Sequence, residues 1–500
     1  MDREIELKFL IAPEAADAIL TLLSDEGGGE SAVHQLDATY FDTPAHALRQ
    51  AGFGLRVRDG EGGRKQTLKS ASAGGIFARG EWETAIAGPG PDDAALAATP
   101  AAAVVNGQAL HPVFTTKVER TVRVIRRGET VIEAVVDRGE LIGQTRRAPV
   151  CELELELKAG SPAALFDLAR DLAQRVALRL SLVSKAERGY GLVATGQSAS
   201  ETHRSPAQLT PDMSVGEALQ AVGRAALSQL CASVEALRER PGPEGVHQLR
   251  VAARRMRALL KAFRPLSAGP EALALDRELS WLAGELDMAR DLDVLIAEVW
   301  RPTSTDPQAQ GAAAFGRALL AAQASAYLRM EAALESPRGR ALLLEAAAWL
   351  EVGSWTAAPD LAAVRDAPAP AFAAGMLKHR RHVLVKKSAH LQDLDPPTRH
   401  GLRLKGKTLR YAAADLAGLF PEHPKRTERF IAATKALQDA LGRLNDLHVG
   451  PDLARSVALA SGEPEASLAA ARLARGGDEA RLMRQARQAR DAFAEARAFW

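Results

Sequence analysis

The residues of this chain that could do chemistry are charged side chains at every second position of short segments. The segment Glu4-Ile5-Glu6-Leu7-Lys8 is one, and Leu55-Arg56-Val57-Arg58 is another. In the segment 151–158, Glu152, Glu154 and Glu156 alternate with leucine. Residues two positions apart lie on the same face of a β-strand. Each segment therefore predicts a strand with one charged face and one apolar face.

Two interpretations of these charged faces are open. The ordinary one is an antiparallel sheet whose polar face meets solvent. The other is a sheet closed on itself around a polar interior, where carboxylates hold a hard divalent cation and Lys and Arg hold phosphate oxygens. Three further segments carry charges on one strand face, at Lys65 and Lys69, at Arg79, Glu81 and Glu83, and at Glu133 and Asp137. Six such strands favour the second interpretation, because a row of like charges is best tolerated when groups of opposite charge lie next to it. Glu-x-Glu together with Arg-x-Arg then indicates a metal-bound polyphosphate ester or anhydride.

Beyond residue 200 the basic residues recur at a helical spacing. The segment 246–263 resembles 399–416 at a constant offset of 153, and 286–295 resembles 441–450. In the first pair of segments the basic residues fall in a narrow arc beside an apolar stripe. They are His247, Arg250, Arg254, Arg257 and Lys261 in the first copy, and His400, Arg403, Lys407 and Arg410 in the second. One such face could be merely solvated, but two copies favour a surface that binds a long polyanion.

The two copies also differ at several positions. Thr408 stands where the first copy has Arg255, His448 where it has Asp293, and Asn445 where it has Arg290. We therefore expect two basic surfaces of unequal affinity. Zinc binding by His247 and His400 is disfavoured, because the surrounding cations oppose a divalent ion. The matching acids are expected to position the basic side chains through ion pairs, and these acids are Asp291 and Asp446.

The elements that would position these residues change character near residue 200. Period-2 runs predict strands up to about residue 195, with helices near 13–24 and 161–177. From residue 215 the Ala/Leu/Arg/Glu-rich sequence predicts helices throughout. We expect an α+β multidomain chain with a strand domain over 1–196 and a linker over 197–214. An all-α domain would follow over 215–500, as two similar helical-bundle halves near 215–360 and 370–500.

Composition excludes several classes of protein. The 500 residues are 47% hydrophobic and 25% charged, which argues against a disordered, collagen-like or membrane-bundle chain. The net charge of +2 hides a segregation: residues 1–200 hold 23 Lys and Arg against 27 Asp and Glu, and the rest hold 41 against 35. Two distant cysteines argue against a disulfide scaffold. With no visible signal peptide or apolar span, we expect a cytoplasmic protein without membrane contact.

The strand segments resemble the CYTH family, also called triphosphate tunnel metalloenzymes. The resemblance rests on Glu4 to Lys8 together with an ordered set of further matches. They are Tyr40-Phe41-Asp42-Thr43, Leu55 to Arg58, Thr67-Leu68-Lys69, Glu133, Asp137-Arg138-Gly139, Cys151 to Lys158, and Ser184 to Tyr190. The helical half resembles the CHAD domain. The order of the two, over nearly all of the chain, resembles bacterial inorganic triphosphatases of CYTH–CHAD architecture.

This resemblance implies a fold, a reaction and a set of residues. The fold is an eight-stranded antiparallel β-tunnel, and the reaction is hydrolysis of inorganic tripolyphosphate to pyrophosphate and phosphate with Mg²⁺ or Mn²⁺. The implied metal ligands are Glu4, Glu6, Asp137, Glu154 and Glu156. Glu4, Glu6 and Lys8 would be catalytic, with Glu152 as a ligand or as the residue that orients water. The implied phosphate contacts are Lys8, Arg56, Arg58, Lys69, Arg79, Arg120, Lys185 and Arg188, with Glu81 beside them.

CHAD domains bind inorganic polyphosphate, so the resemblance implies that role for the repeated basic residues and for Arg381. Other functions stay open. The tunnel could act on thiamine triphosphate, a nucleotide or long polyphosphate. A non-catalytic polyphosphate-binding or targeting protein would lack the tunnel carboxylates, which are present here. Specific nucleic-acid binding is not expected, because the helical part has few aromatic residues for stacking and no nucleic-acid motif.

Overall fold

The computed structural model describes residues 4–26, 31–60, 62–70, 78–193, 207–300, 311–473 and 479–500. Residues 197–206 of the expected linker lie outside this description, and so do the side chains of Glu4, Arg79, Asp446 and His448. The chain divides into two compact units. The first holds residues 1–204, 228–236 and 336–352, and the second holds residues 205–227, 237–335 and 353–500.

The first unit is built on ten strands that pair antiparallel throughout. They are β1 Glu4–Leu10, β2 Ala32–Asp42, β3 Phe53–Asp59, β4 Lys65–Ser70, β5 Ala78–Arg79, β6 Glu81–Ala85, β7 His111–Arg127, β8 Thr130–Ile142, β9 Arg147–Ala159 and β10 Arg179–Leu180. Their order is β1-β9-β8-β7-β2-β3-β4-β6, and β10 pairs with the end of β1.

Gly80 closes this sheet into a tunnel. It joins β5, which pairs with β1, to β6, which pairs with β4. Its carbonyl accepts from the Ser70 amide at 2.9 Å, and its own amide donates to Ser70 Oγ at 3.1 Å. A Cβ here would lie 2.8 Å from the Trp82 ring, so the crossing favours glycine. The expected antiparallel tunnel architecture is confirmed, but the sheet has ten strands instead of eight, because β5 and β6 share one position in the ring and the short β10 adds to the end of β1.

Helices cover the outer face of the tunnel, where the apolar residues of the period-2 runs lie. Leu7, Leu153, Leu155 and Val136 are fully buried or nearly so. Two helices lie over β7, β8 and β9, and these are α1 Ala16–Asp25 and α5 Pro162–Arg175. The short helices α2 Ala47–Gln50, α3 Asp93–Ala97 and α4 Ala102–Val105 enclose the apolar face of β3 and β4.

Helix α6, Lys185–Val193, lies against the inner face instead. Its Tyr190 packs with Tyr40 and Phe114, whose rings stack with centroids 4.4 Å apart. Tyr40 faces Arg56 across the β2–β3 pair, so this cluster shares the face that carries the charged residues. Helix α6 thereby brings its own charged residues into the tunnel.

The remaining helices follow in chain order. They are α7 Val215–Glu239, α8 Pro243–Ala262, α9 Pro270–Val294, α10 Ala312–Glu335, α11 Pro337–Val352, α12 Ala362–Arg365, α13 Ala369–Lys387, α14 Pro396–Asp415, α15 Pro424–Ser461, α16 Pro464–Leu473 and α17 Glu479–Glu495. In the second unit, α8 pairs with α9, α14 pairs with α15, and α8 also contacts α14. None of the helices described is both long and apolar enough to cross a bilayer.

Helix α11 belongs to the tunnel unit although it lies far along the chain. It packs against α5 and β10. Arg170 on α5 forms a two-pronged ion pair with Glu345 on α11, with N–O distances of 2.7 and 2.9 Å. Leu342, Ala346 and Leu350 on α11 are buried. The tunnel unit therefore includes a helix that the sequence assigns to the helical domain.

Candidate functional sites

The inner face of the tunnel separates acidic strands from basic ones. Strands β1, β9 and β8 place acids on this face, and β3 and β4 place bases on it. The acids are Glu6, Glu152, Glu154, Glu156, Glu133 and Asp137, and the bases are Arg56, Arg58, Lys65 and Lys69, with Lys8 on β1 and Arg120 on β7. A short anion that also carries a cation would meet both kinds of partner in such a chamber.

Lys185 of α6 is the centre of the acidic side. Its Nζ lies 2.6 Å from Glu152, 2.8 Å from Asp137 and 2.8 Å from Glu154. Burial alone would lower the pKa of Lys185, but Asp137, Glu152 and Glu154 together raise it well above its usual value. The ammonium therefore stays charged in a buried place, and it holds three carboxylates from two strands together.

Arg120 makes the second cationic link. It donates two hydrogen bonds to Asp137, at 2.8 and 2.7 Å, and one to Glu154 at 3.0 Å. Burial would raise the pKa of Glu154, yet Lys185, Lys8 and Arg120 hold it well below its usual value. Asp137 follows the same pattern, since Lys185 and Arg120 outweigh its burial and lower its pKa. Both carboxylates are thus ionised at neutral pH.

Two further predicted residues join this network. Lys8 Nζ lies 3.3 Å from Glu154 and 3.9 Å from Glu6. Arg188, one turn of α6 beyond Lys185, pairs with Glu152 and also donates to the Pro149 carbonyl at 2.7 Å. Glu152 and Asp137 are fully buried, and each is paired with two cations. These contacts position cations, which is a role beyond the expected metal or water contacts.

The basic side is only partly neutralised. Arg58 pairs with Glu83 at 3.2 Å, and Lys69 pairs with Glu81 at 3.3 Å. The Arg56 Nε atom is buried and has no hydrogen-bond partner among the described residues. Burial and the neighbouring Arg56 lower the pKa of Arg58. The crowding of guanidinium groups on this side creates a positive potential that an anion would relieve.

The carboxylates suit a hard divalent cation by their donor chemistry. Glu6 faces Glu156 across the β1–β9 pair, and Glu156 faces Glu133 across β9–β8. Directly opposed like charges destabilise a sheet unless a cation lies between them. Lys158 supplies part of that charge, at 2.6 Å from Glu156 and 3.3 Å from Glu133. The described His, Cys, Asp and Glu side chains form no preformed group of three for a metal, so binding there would require side-chain rotation.

A buried contact that the sequence reasoning did not find ties α6 in place. The fully buried Asp42 accepts hydrogen bonds from the backbone amides of Thr43, Leu48 and Arg49 at 2.8–3.0 Å. It also accepts the Tyr190 hydroxyl at 2.7 Å. Asp42 and Tyr190 both lie in segments that carried the family resemblance, but an Asp-Thr pair after a strand is also an ordinary turn signal.

The second unit brings the two copies of the basic helix together. Burial and the positive charges of Arg250 and Arg403 lower the pKa of Arg254, so residues of both copies are neighbours. Arg250 pairs with Asp287 at 2.6 Å and with Asp291 at 3.5 Å. The 3.5 Å contact between Arg250 and Asp291 agrees with the expectation that Asp291 positions a basic side chain. The corresponding side chain of Asp446 lies outside the described residues.

The other predicted members of this basic face have varied surroundings. Arg257 pairs with Asp276 at 2.8 Å, and Arg410 donates to the Gln438 amide oxygen at 2.8 Å. His400 Nδ1 lies 2.7 Å from Asn445 Oδ1. Lys407 is buried and Lys261 is exposed. Arg381 lies elsewhere, where it donates to the carbonyls of Ala494 and Ala496 at the end of α17.

Comparisons with known proteins agree with this division. The family model described as CYTH domain matches residues 2–190, and the CHAD domain model matches residues 221–455. The curated inorganic triphosphatase of Haemophilus influenzae is 31% identical over 193 residues, which are 38% of this chain and 55% of that protein. This chain thus spans about half the length of that relative.

Two solved structures are also similar. The CHAD domain of the plant Ricinus communis is 29% identical and covers 59% of this chain and 96% of its own, with a TM-score of 0.49. A putative adenylyl cyclase from Hippeastrum, described as having a dominant triphosphatase activity, is 20% identical and covers 38% of this chain and 95% of its own, with a TM-score of 0.29. The matches to the two family models and the strand and helix order give one assignment: residues 2–190 are a CYTH domain and residues 221–455 are a CHAD domain.

Proposed function

We propose that the tunnel hydrolyses inorganic tripolyphosphate to pyrophosphate and phosphate, with a divalent cation. The observation that carries the proposal is the single chamber in which basic β3, β4 and β7 residues face the carboxylates of β1, β8 and β9. The inorganic triphosphatase of Haemophilus influenzae supports the same substrate class, because its similarity to this chain covers 193 residues.

In this proposal the bases bind the phosphate chain. Arg56, Arg58 and Lys69 would hold phosphate oxygens from one side of the tunnel, and Lys8, Arg120 and Lys185 from the other. Arg188 and Arg79 are proposed as further contacts, and the Arg79 side chain lies outside the described residues. Ion pairs already fix Arg120 and Lys185 before substrate arrives. Prearranged cations stabilise the charge that develops on a leaving pyrophosphate without reorganising during the reaction.

The carboxylates would divide their roles according to their present partners. Glu6 and Glu156 are the proposed ligands of Mg²⁺ or Mn²⁺, which when bound would neutralise phosphate charge and polarise the reacting phosphorus. Glu4 and Glu154 are proposed as further ligands, although Glu154 already pairs with Lys8, Arg120 and Lys185 and would have to exchange one of these cations for the metal. Glu152 and Asp137 would orient Lys185, Arg188 and Arg120. The predictions that Asp137 binds metal and that Glu152 orients water are untested, and they require one of the paired cations to move.

We further propose that the basic face of the CHAD domain binds inorganic polyphosphate. The residues proposed for this face are His247, Arg250, Arg254, Arg257, Lys261, His400, Arg403, Lys407 and Arg410. The adjacency of Arg254 to Arg250 and Arg403 supports it, because a long polyanion relieves the repulsion among them. Arg381 is a weaker member, since its guanidinium already binds two carbonyls. Both cysteines are free thiols, which suits a reducing compartment such as the cytoplasm.

The deciding experiment is a phosphate-release panel with the full chain. The substrates are tripolyphosphate, ATP, thiamine triphosphate and long polyphosphate, each with Mg²⁺, with Mn²⁺ and with a chelator. We expect tripolyphosphate to be turned over fastest and the chelator to abolish turnover. Glu6→Gln should abolish it as well while leaving polyphosphate retention intact. Glu119→Gln, a change on the outer face where Glu119 accepts from Gln35, is the matched control. Absence of tripolyphosphate turnover would overturn the proposal.

A further inference from the structure

The two copies of the basic helix differ in how their arginines are neutralised. In the first copy, Asp287 on α9 lies 2.6 Å from Arg250 on α8. Aligning 286–295 with 441–450 places Gly442 at the position of Asp287, and aligning 246–263 with 399–416 places Arg403 at that of Arg250. The structure agrees with this alignment, because a Cβ on Gly442 would lie 3.3 Å from Arg403 Nε.

Arg403 therefore faces a position without a side chain, where Arg250 faces a carboxylate. Its Nε atom is buried and has no hydrogen-bond partner among the described residues. Asp291, the second acid beside Arg250, is its more distant partner at 3.5 Å. The side chain of the matching Asp446 lies outside the described residues.

A second pair of equivalent arginines, two helical turns further along α8 and α14, also differs in its partners. Arg257 of the first copy is paired with Asp276, whereas its counterpart Arg410 donates to the neutral amide of Gln438. An amide accepts a hydrogen bond but leaves the guanidinium charge uncompensated. The second copy also has exposed Arg443 where the first has Met288. Among the described residues, Arg403 and Arg410 of the second copy therefore have no carboxylate partner, whereas their equivalents Arg250 and Arg257 are paired.

We infer that polyphosphate is held chiefly by the second copy, through Arg403 and Arg410, and that Asp287 and Asp276 weaken binding by occupying the equivalent arginines of the first copy. The inference rests on the proposed polyphosphate binding and adds which cations carry it. A phosphate oxygen that approaches Arg250 or Arg257 must displace a carboxylate or bind beside it, and like charges repel. At Arg403 and Arg410 the described residues set no such competitor in its path.

The test is the affinity of the full chain for long-chain inorganic polyphosphate. Asp287→Asn, which keeps the shape of the side chain and removes its charge, should tighten binding by a factor of about 1.5 to 5, since a half-exposed ion pair contributes about 0.2–1 kcal/mol. Asp276→Asn should act in the same direction. Gly442→Asp, which places the missing carboxylate beside Arg403, should weaken binding by a similar factor.

Matched controls separate these effects from general charge and from folding. Gly442→Asn carries the same bulk as Gly442→Asp without charge and should bind like the wild type. Asp491→Asn changes the net charge equally at an exposed site on α17 and should also have no effect. Circular dichroism checks that each variant is folded, and if Gly442→Asp does not fold, the two Asp→Asn variants still decide. If the wild type does not retain polyphosphate, the proposed polyphosphate binding is wrong. Retention with equal affinity in wild type, Asp287→Asn and Asp276→Asn would overturn this inference alone.

Discussion

The hydroxyl of Tyr190 donates a 2.7 Å hydrogen bond to Oδ2 of Asp42, and this bond joins helix α6 to the end of strand β2. The same helix carries Lys185, which lies within 2.8 Å of three tunnel carboxylates. Asp42 is held in turn by three backbone amides of the β2–α2 corner. The position of Lys185 in the tunnel therefore depends on a contact at the other end of its helix.

Tyr190→Phe should loosen α6 without removing any proposed substrate contact. We expect a loss of about 1–2 kcal/mol in the free energy of unfolding, because one hydrogen bond to a carboxylate is removed. The KM for tripolyphosphate should rise more than kcat falls, since Lys185 would be held less precisely. Tyr327→Phe is the matched control, because Tyr327 donates to the buried Asp293 in the other unit at 3.0 Å. Equal effects of both variants on KM would contradict a positioning role for Tyr190.

Lys185→Met should destabilise the tunnel strongly. It keeps most of the side-chain volume but leaves Asp137, Glu152 and Glu154 without their shared cation. Removal of one partner from a buried ion pair costs about 3–5 kcal/mol, which urea unfolding at pH 7 would measure. Added Mg²⁺ should raise the melting temperature of this variant more than that of the wild type, because the three carboxylates that lose Lys185 gain a cation. A variant as stable as the wild type, or one insensitive to Mg²⁺, would contradict this account.

The charged inner face could be predicted from the sequence, because the period of two is a property of the strand itself. Glu152, Glu154 and Glu156 accordingly share one face, where the first two meet Lys185 and the third meets Lys158. Which carboxylate meets which cation could not be predicted. Asp137 and Lys185 are distant in the chain and come together only when α6 packs on the inner face, a contact set by Tyr190 and Asp42.

The extent of the tunnel unit, which includes helix α11, also could not be predicted from the sequence. The Ala/Leu-rich sequence of α11 predicts a helix that is buried on most sides, and all residues of 342–350 except Glu345 are buried. The sequence does not show which surfaces cover it. Its sequence resembles that of the neighbouring helices, while its contacts are with α5 and β10. Closure of the ring could not be predicted from the sequence either. It depends on the two short strands on either side of Gly80, β5 and β6, which are too short to show a periodic pattern.

A chain truncated after residue 204 should be less stable than the tunnel unit of the full protein. Truncation removes α11, and with it the ion pair of Arg170 with Glu345 and the apolar cover that Leu342 and Leu350 supply. Exposed apolar area of this kind costs about 25 cal/mol per Å² and promotes association. Thermal unfolding and size-exclusion chromatography would show a lower melting temperature and larger species. A monomeric fragment with an unchanged melting temperature would contradict the structural role of α11.

The tunnel should also lose stability in acid. Asp137 and Glu154 have pKa values below their usual range, while in the unfolded chain both are expected near 4. The unfolded chain then binds more protons as pH falls, so the stabilisation is fully present above about pH 5 and is lost below about pH 4. Each group contributes a slope of up to about 1.4 kcal/mol per pH unit there. Hydrogen exchange of the β8 and β9 amides between pH 3 and pH 7 measures it. The slope should be smaller in Glu154→Gln, and an equal slope would contradict the assignment.

Polyphosphate binding should become tighter as the pH falls from about 7.5 to 5.5. Burial, followed by the positive charge of Arg290 and then of Arg250 and Arg254, lowers the pKa of His247, although Glu244 opposes them. A bound polyanion compensates these cations and restores the pKa of His247 toward its usual 6.5, so binding takes up a proton in this range. His247→Asn should reduce the pH dependence of the affinity measured by titration calorimetry, whereas His111→Asn, at an exposed site on β7, should not. An unchanged pH dependence in His247→Asn would remove that residue from the polyphosphate site.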